Sequence, residues 1–139
     1  MSQARYLIRR NSAGTLAAKS LFNMPRRKPF AANRASVKKL EAEGWCVATV
    51  EQTIPHCFIK RDFCNFADLI AFCPSKGIMA IQATGGTSSS NGLARVRKIK
   101  SEARAGLWLA SGGRIQVHDW RGKGNNRECF VMEITSENS

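Results

Sequence analysis

A chain of 139 residues with 43% hydrophobic side chains is one domain in size and can bury a core without disulfides, and no apolar run approaches the roughly 20 residues that cross a bilayer. The net charge of +12 is lopsided, because ten of the 22 basic residues and none of the ten acids lie in residues 1–40. A nearly neutral domain therefore follows a basic arm, which suits a polyanion such as nucleic acid.

Residues 1–32 form the arm and 33–139 the folded domain. PRRKP at 25–29 is the densest basic cluster, with Arg26, Arg27 and Lys28 held extended between prolines. The arm is rich in Arg and free of acid, which also describes an organellar transit peptide or a solubilising tail. The five cysteines are odd in number and lack a CxxC, which points to a reducing, cytoplasmic compartment. His56, Cys57 and Cys64 match no zinc spacing.

Along the domain, RASVKKLEAEG at 34–44 predicts a helix capped by Asn33 or Ser36 and closed by Gly44. WCVATVEQTI at 45–54 predicts a strand that Pro55 ends, and HCFIKRDFCN an irregular segment with Lys60 and Arg61. FADLIAFC and GIMAIQAT predict a hairpin across the PSKG turn. TGGTSSSNG at 84–92 reads as a loop. LARVRKIKSEARAG at 93–106 has helical period through Leu93, Val96, Ile99 and Ala103. LWLAS, RIQVHDW and ECFVMEIT read as three more strands. The order α-β-β-β-α-β-β-β is an α/β domain with a mixed sheet covered by helices.

The hairpin holds two polar residues that do not suit a core, Asp68 and Gln82. Period-two alternation puts Asp68 opposite Gln82 or Thr84, so the two side chains are expected to meet. A buried carboxylate needs a partner or a cation. The structural answer is an Asp–Gln hydrogen bond or a salt bridge to Lys60 or Arg61; the chemical one is a divalent metal site.

The layout α-β-β-β-α-β, with an acid on the second strand and a tripeptide resembling acid-x-Lys on the third, resembles the PD-(D/E)XK nuclease superfamily. That superfamily includes restriction endonucleases and Holliday-junction resolvases. Residues 61–84 carry the most specific likeness, to small phage-borne or bacterial members, and the arm lies outside it. The resemblance implies a restriction-endonuclease-like αβββαβ core and an endonuclease that hydrolyses DNA with Mg²⁺ or Mn²⁺. It would make Asp68 the metal-binding acid, put Gln82 in the place of the second acid, and make Glu51 an accessory acid and Asp62 a metal or water ligand. The tripeptide here is Gln82-Ala83-Thr84, so Lys98 or Lys100 would have to supply the missing cation from the next helix. A resolvase-like, structure-selective role would favour a homodimer with two sites on two strands. The other reading is a nuclease-fold module that binds nucleic acid without cutting it. A cluster of Asp68, Gln82, Glu51 and a Lys favours the enzyme; Thr84 and apolar side chains filling that space favour the binding module.

The second helix carries Arg95, Arg97, Lys98, Lys100 and Arg104 against the single acid Glu102. The preceding GGTSSSNG offers backbone N–H groups at a helix start, and the pair reads as a phosphate-contacting surface. No Gly-Lys-Ser/Thr follows, which discounts a nucleotide-binding P-loop. His118, alone on a strand, reads as hydrogen-bonded structure.

Overall fold

The structure, a computed structural model, describes residues 29–137 except Phe58. The expected Arg26–Lys28 contacts therefore lie outside the described residues. The elements in chain order are α1 (Ala32–Ala42), β1 (Cys46–Thr49), β2 (Gln52–Ile54), β3 (Ile59–Arg61), β4 (Leu69–Cys73), β5 (Gly77–Gly86), α2 (Ser90–Lys100), α3 (Ala103–Ala110), β6 (Arg114–Lys123) and β7 (Asn126–Ile134). Five strands make one mixed sheet in the order β1-β4-β5-β6-β7, and β2 and β3 form a separate two-stranded ribbon. Among the described residues, no helix is long and apolar enough to cross a membrane.

β5 is the centre of the sheet. It runs antiparallel to β4, with Leu69 opposite Ile81, and parallel to β6, with Gln82 opposite Val117. A parallel step needs a crossover, which α2 and α3 provide. Alternate residues of the sheet feed two cores. Leu69, Ala71, Met79 and Ile81 pack under Leu40 of α1 and Trp45. Ala80, Ile115 and Val117 pack on the other face with Phe66, Ile99 of α2 and Ala105 of α3. Burial on both faces explains why β5 reads as a nearly unbroken apolar run.

Besides Ile59–Arg61, expected as irregular and found as strand β3 of the ribbon, four sequence expectations need correction. The strand expected at 45–54 breaks after Thr49, because the N–H groups of Val50 and Glu51 both donate to the Asp68 carbonyl, at 2.9 and 3.2 Å. Two residues facing one is a bulge, and it turns the chain out of the sheet into the ribbon. LWLAS is helical, not a strand: the predicted 93–106 helix stops at Lys100, and Glu102 caps a new one by accepting from the Arg104 N–H. An apolar run of this length does not separate strand from helix, and Leu107, 66% exposed, marks the outer face of α3. The loop at 84–92 is shorter than expected, since β5 continues through Gly86 and α2 begins at Ser90.

The fourth correction concerns the α1 cap. The N-cap is Ala31, with no side-chain cap bond, and Ser36 lies buried in mid-helix. Its hydroxyl is 2.9 Å from His118 Nδ1 and accepts from Trp120 Nε1 at 2.9 Å. Burial, with a smaller contribution from Lys39, lowers the His118 pKa to about 4, so the ring is neutral. Nδ1 accepts from Ser36, and Nε2 donates to Gln116 Oε1 at 3.0 Å. One hydroxyl thus ties α1 to β6. Ser36→Ala leaves two buried polar groups without it and is expected to cost about 2 kcal/mol, or roughly 10 °C in melting temperature. A loss under about 0.5 kcal/mol would mean that the network does not hold α1.

Candidate metal centre

Asp68 directly precedes β4, and its N–H donates to the Ile81 carbonyl at 2.9 Å. This register carries the two polar residues of the hairpin into contact. Gln82 Nε2 donates to Asp68 Oδ2 at 2.7 Å, and the Ala83 N–H donates to the same oxygen at 3.3 Å. Both side chains are buried, at 4% and 2% exposure. Only the NH₂ end of the amide can donate to a carboxylate, so Gln82 Oε1 is turned away. Among the described residues, neither Asp68 Oδ1 nor Gln82 Oε1, both buried, accepts a hydrogen bond. Buried oxygens that accept no hydrogen bond are costly, and a cation can satisfy them.

The ribbon brings in the other acids. Gln52 pairs with Arg61, so Glu51 and Asp62 are the residues just outside its base. Ligand oxygens of Glu51, Asp62 and Asp68 all lie within 4.8 Å of one another. Glu51 is thus contributed by the bulge, not by the first strand as expected. The helix α2 closes the group from the other side, with Lys98 Nζ 2.9 Å from Asp62 Oδ2. Lys60 of β3 lies 3.8 Å from Glu51, so neither Lys60 nor Arg61 makes the salt bridge to Asp68 considered from the sequence. Arg95 lines the same cleft, of volume ≈ 380 Å³, with Glu51, Asp62, Asp68 and Gln82. The described Arg97 and Lys100 are exposed elsewhere on α2, and Arg61 lines a neighbouring polar hollow with Asp62 and Arg104.

Electrostatics separate the two closest acids. Burial first, then the Asp62 carboxylate, push Asp68 up to about 7, against the smaller pull of the Ala83 N–H and Gln82. Burial also raises Asp62, but its hydrogen bonds with Lys98 and with Asp68, helped by the Lys98 and Arg95 charges, outweigh it and hold Asp62 low. Near neutral pH the pair shares one proton, carried on Asp68.

Three oxygen-bearing acids, an amide oxygen and open volume fit a hard divalent cation such as Mg²⁺ or Mn²⁺, which takes oxygen ligands and keeps several waters. Thr84 is buried outside the cleft lining, and apolar side chains do not fill the space beside Asp68. The sequence reading missed the opposite wall, where Phe30, Ala31, Ala32 and Asn33 of the α1 start line the cleft. It also missed Asp119, fully buried with Arg121 Nε at 2.7 Å. An acid next to a His on a strand carried no signal for a buried carboxylate paired with an Arg two residues on.

Comparison of the chain with protein-family models, curated proteins and solved structures gave no match.

Proposed function

We propose that the chain is a metal-dependent DNA endonuclease of the restriction-endonuclease-like kind, hydrolysing phosphodiester bonds with Mg²⁺ or Mn²⁺. The observation that carries this reading is the convergence of Glu51, Asp62 and Asp68 within 4.8 Å, with the buried Asp68 Oδ1 and Gln82 Oε1 accepting no hydrogen bond among the described residues. The element order supports it: α1, β1, β4, β5, α2 and β6 follow αβββαβ, with the third and fourth of these strands parallel.

Each residue has a task in this reading. Asp68, Asp62 and Glu51, with Gln82 Oε1, would hold the cation, which when bound supplies Lewis acidity and a water acidified toward neutral pH. Gln82 and the Ala83 N–H orient Asp68. Lys98 keeps Asp62 ionised and offers the positive charge that the Gln82-Ala83-Thr84 tripeptide lacks, so that charge building on a phosphate is met by a fixed cation. Arg95 and Lys60 at the cleft rim attract the phosphate. The rival reading, a binding module that does not cut, draws on that same tripeptide, which has neither the second acid nor the Lys.

Thermal unfolding separates the two. Mg²⁺ or Mn²⁺ at 100 times its dissociation constant is expected to stabilise the folded state by about 2.7 kcal/mol. The shift should grow from pH 6 to pH 8, as Asp68 gives up its proton. Labelled duplex, nicked and four-way-junction DNA should be cut only with the metal. No melting shift at any pH, together with no cutting, would leave the binding module as the answer.

A further inference from the structure

The start of α1 runs against the electrostatics of its own helix. No side chain caps it, its first turn has no acid, Arg34 is its third residue, and Lys38 follows one turn later. Cations at the amino end oppose the helix dipole, and like charges four residues apart repel. Neither has an ion-pair partner among the described residues, whereas Lys39 is held by Glu43 at 2.6 Å. An external anion on this edge would relieve both conflicts.

Arg34 and Lys38 line a groove of ≈ 280 Å³ with Pro29, Ala35 and Asn125. The groove shares Phe30 and Ala31 with the carboxylate cleft, so Phe30 is the ridge between two adjoining concavities. The ridge is braced. The Arg127 guanidinium lies 4.4 Å from the Phe30 ring centre, and the Trp120 ring lies at 5.9 Å. Gly85, three residues past Gln82, leaves room for this, since a Cβ there would meet Arg127 Nη1 at 2.7 Å. On the far side of the ridge is the cleft lined by Asp68 and Gln82.

We propose that the two concavities form one track: a DNA strand whose scissile phosphate lies at Asp68 crosses Phe30, and Arg34 and Lys38 hold the phosphates that follow. This rests on the nuclease reading for the identity of the polyanion. In sequence Arg26, Arg27 and Lys28 directly precede Pro29, so at most about 11 Å of extended chain separates them from the groove.

The test is DNA binding by the full chain in EDTA, followed by anisotropy over a salt series with a labelled duplex and a labelled single strand. Each lost phosphate contact lowers the slope of log K against log salt by about 0.9 on duplex and about 0.7 on single strand. Arg34→Gln/Lys38→Gln should therefore lower it by about 1.8 on duplex or about 1.4 on single strand, and the form whose slope falls by its full amount is the one that fills the track. Lys76→Gln, which removes a cation at the β4–β5 turn, should leave it unchanged. An unchanged slope in the double variant, an equal fall with Lys76→Gln, or no DNA binding overturns the track. A wild type that cuts DNA while the slopes stay unchanged loses the track alone. Slopes that fall as expected in a chain that never cuts keep the track as a binding surface and remove the nuclease.

Discussion

Asp68→Asn is expected to lower metal-dependent cleavage by roughly a thousandfold or more and to raise the melting temperature of the metal-free protein at pH 8. Both effects come from the same burial. The carboxyl ionises at 3.8 in an unperturbed setting and at about 7 in the fold. Between these values the folded state keeps a proton that the unfolded chain releases, so stability falls as pH rises through the window. By pH 8 the metal-free wild type bears the full cost, of order 2–4 kcal/mol. The amide never ionises. Its oxygen can still accept from Gln82 Nε2, and its NH₂ replaces the proton toward Asp62. The variant should therefore melt at least about 5 °C higher at pH 8 and match the wild type below pH 4. Adding Mn²⁺ should raise the wild type and leave the variant nearly unmoved. Cleavage within tenfold of wild type would show that Asp68 is structural. An unchanged metal-free melting temperature would show that its charge is not desolvated.

The same residue shows what the sequence can convey. Alternation within FADLIAF and IMAIQAT, joined by a short PSKG turn, constrains the register closely enough to bring Asp68 to Gln82, and the fold has them 2.7 Å apart. The mixed sheet with helices on both faces is equally legible, because the apolar periods are strong. The approach of Asp62 to Lys98, 36 positions apart, depends on a bulge and a crossover rather than on any local pattern. Both residues stand out as candidates in the sequence, but their pairing does not. The bulge itself arises because one carbonyl, that of Asp68, receives two N–H groups, a tertiary event. α3 is hidden because Leu107–Ala110 is an unbroken apolar run with no period to mark it as helix. Ser36 looks like a cap and is instead a buried hub. Arg34 and Lys38 are invisible for a simpler reason: exposed cations have no period, and only the neighbouring groove gives them meaning.

Lys98→Met is the sharper test of whether this divergent site works. Two lysines on α2 were candidates for the missing cation, and two helical positions apart they face about 200° from each other. Lys98 meets Asp62 at 2.9 Å, while Lys100 lines a separate hollow with Ile99, Leu109 and Ile134. Lys98→Met should therefore lower cleavage by about 10² to 10³, and Lys100→Met should leave it within a factor of about two. A second readout separates chemistry from mere support. Without Lys98 the carboxyl of Asp62 loses the main influence holding it low. Its pKa rises, so Mn²⁺ binding at pH 6 should weaken more than at pH 8. Lys98→Arg keeps the charge and should restore the metal affinity, with only part of the rate, since a guanidinium places its charge differently. If Lys98→Met cuts as fast as wild type at pH 8 but binds Mn²⁺ less well at pH 6, the lysine only tunes Asp62, and the cation facing the phosphate has to be Arg95 or Lys60. If rate and affinity are both unchanged, the ion pair is a surface contact of the kind that contributes little.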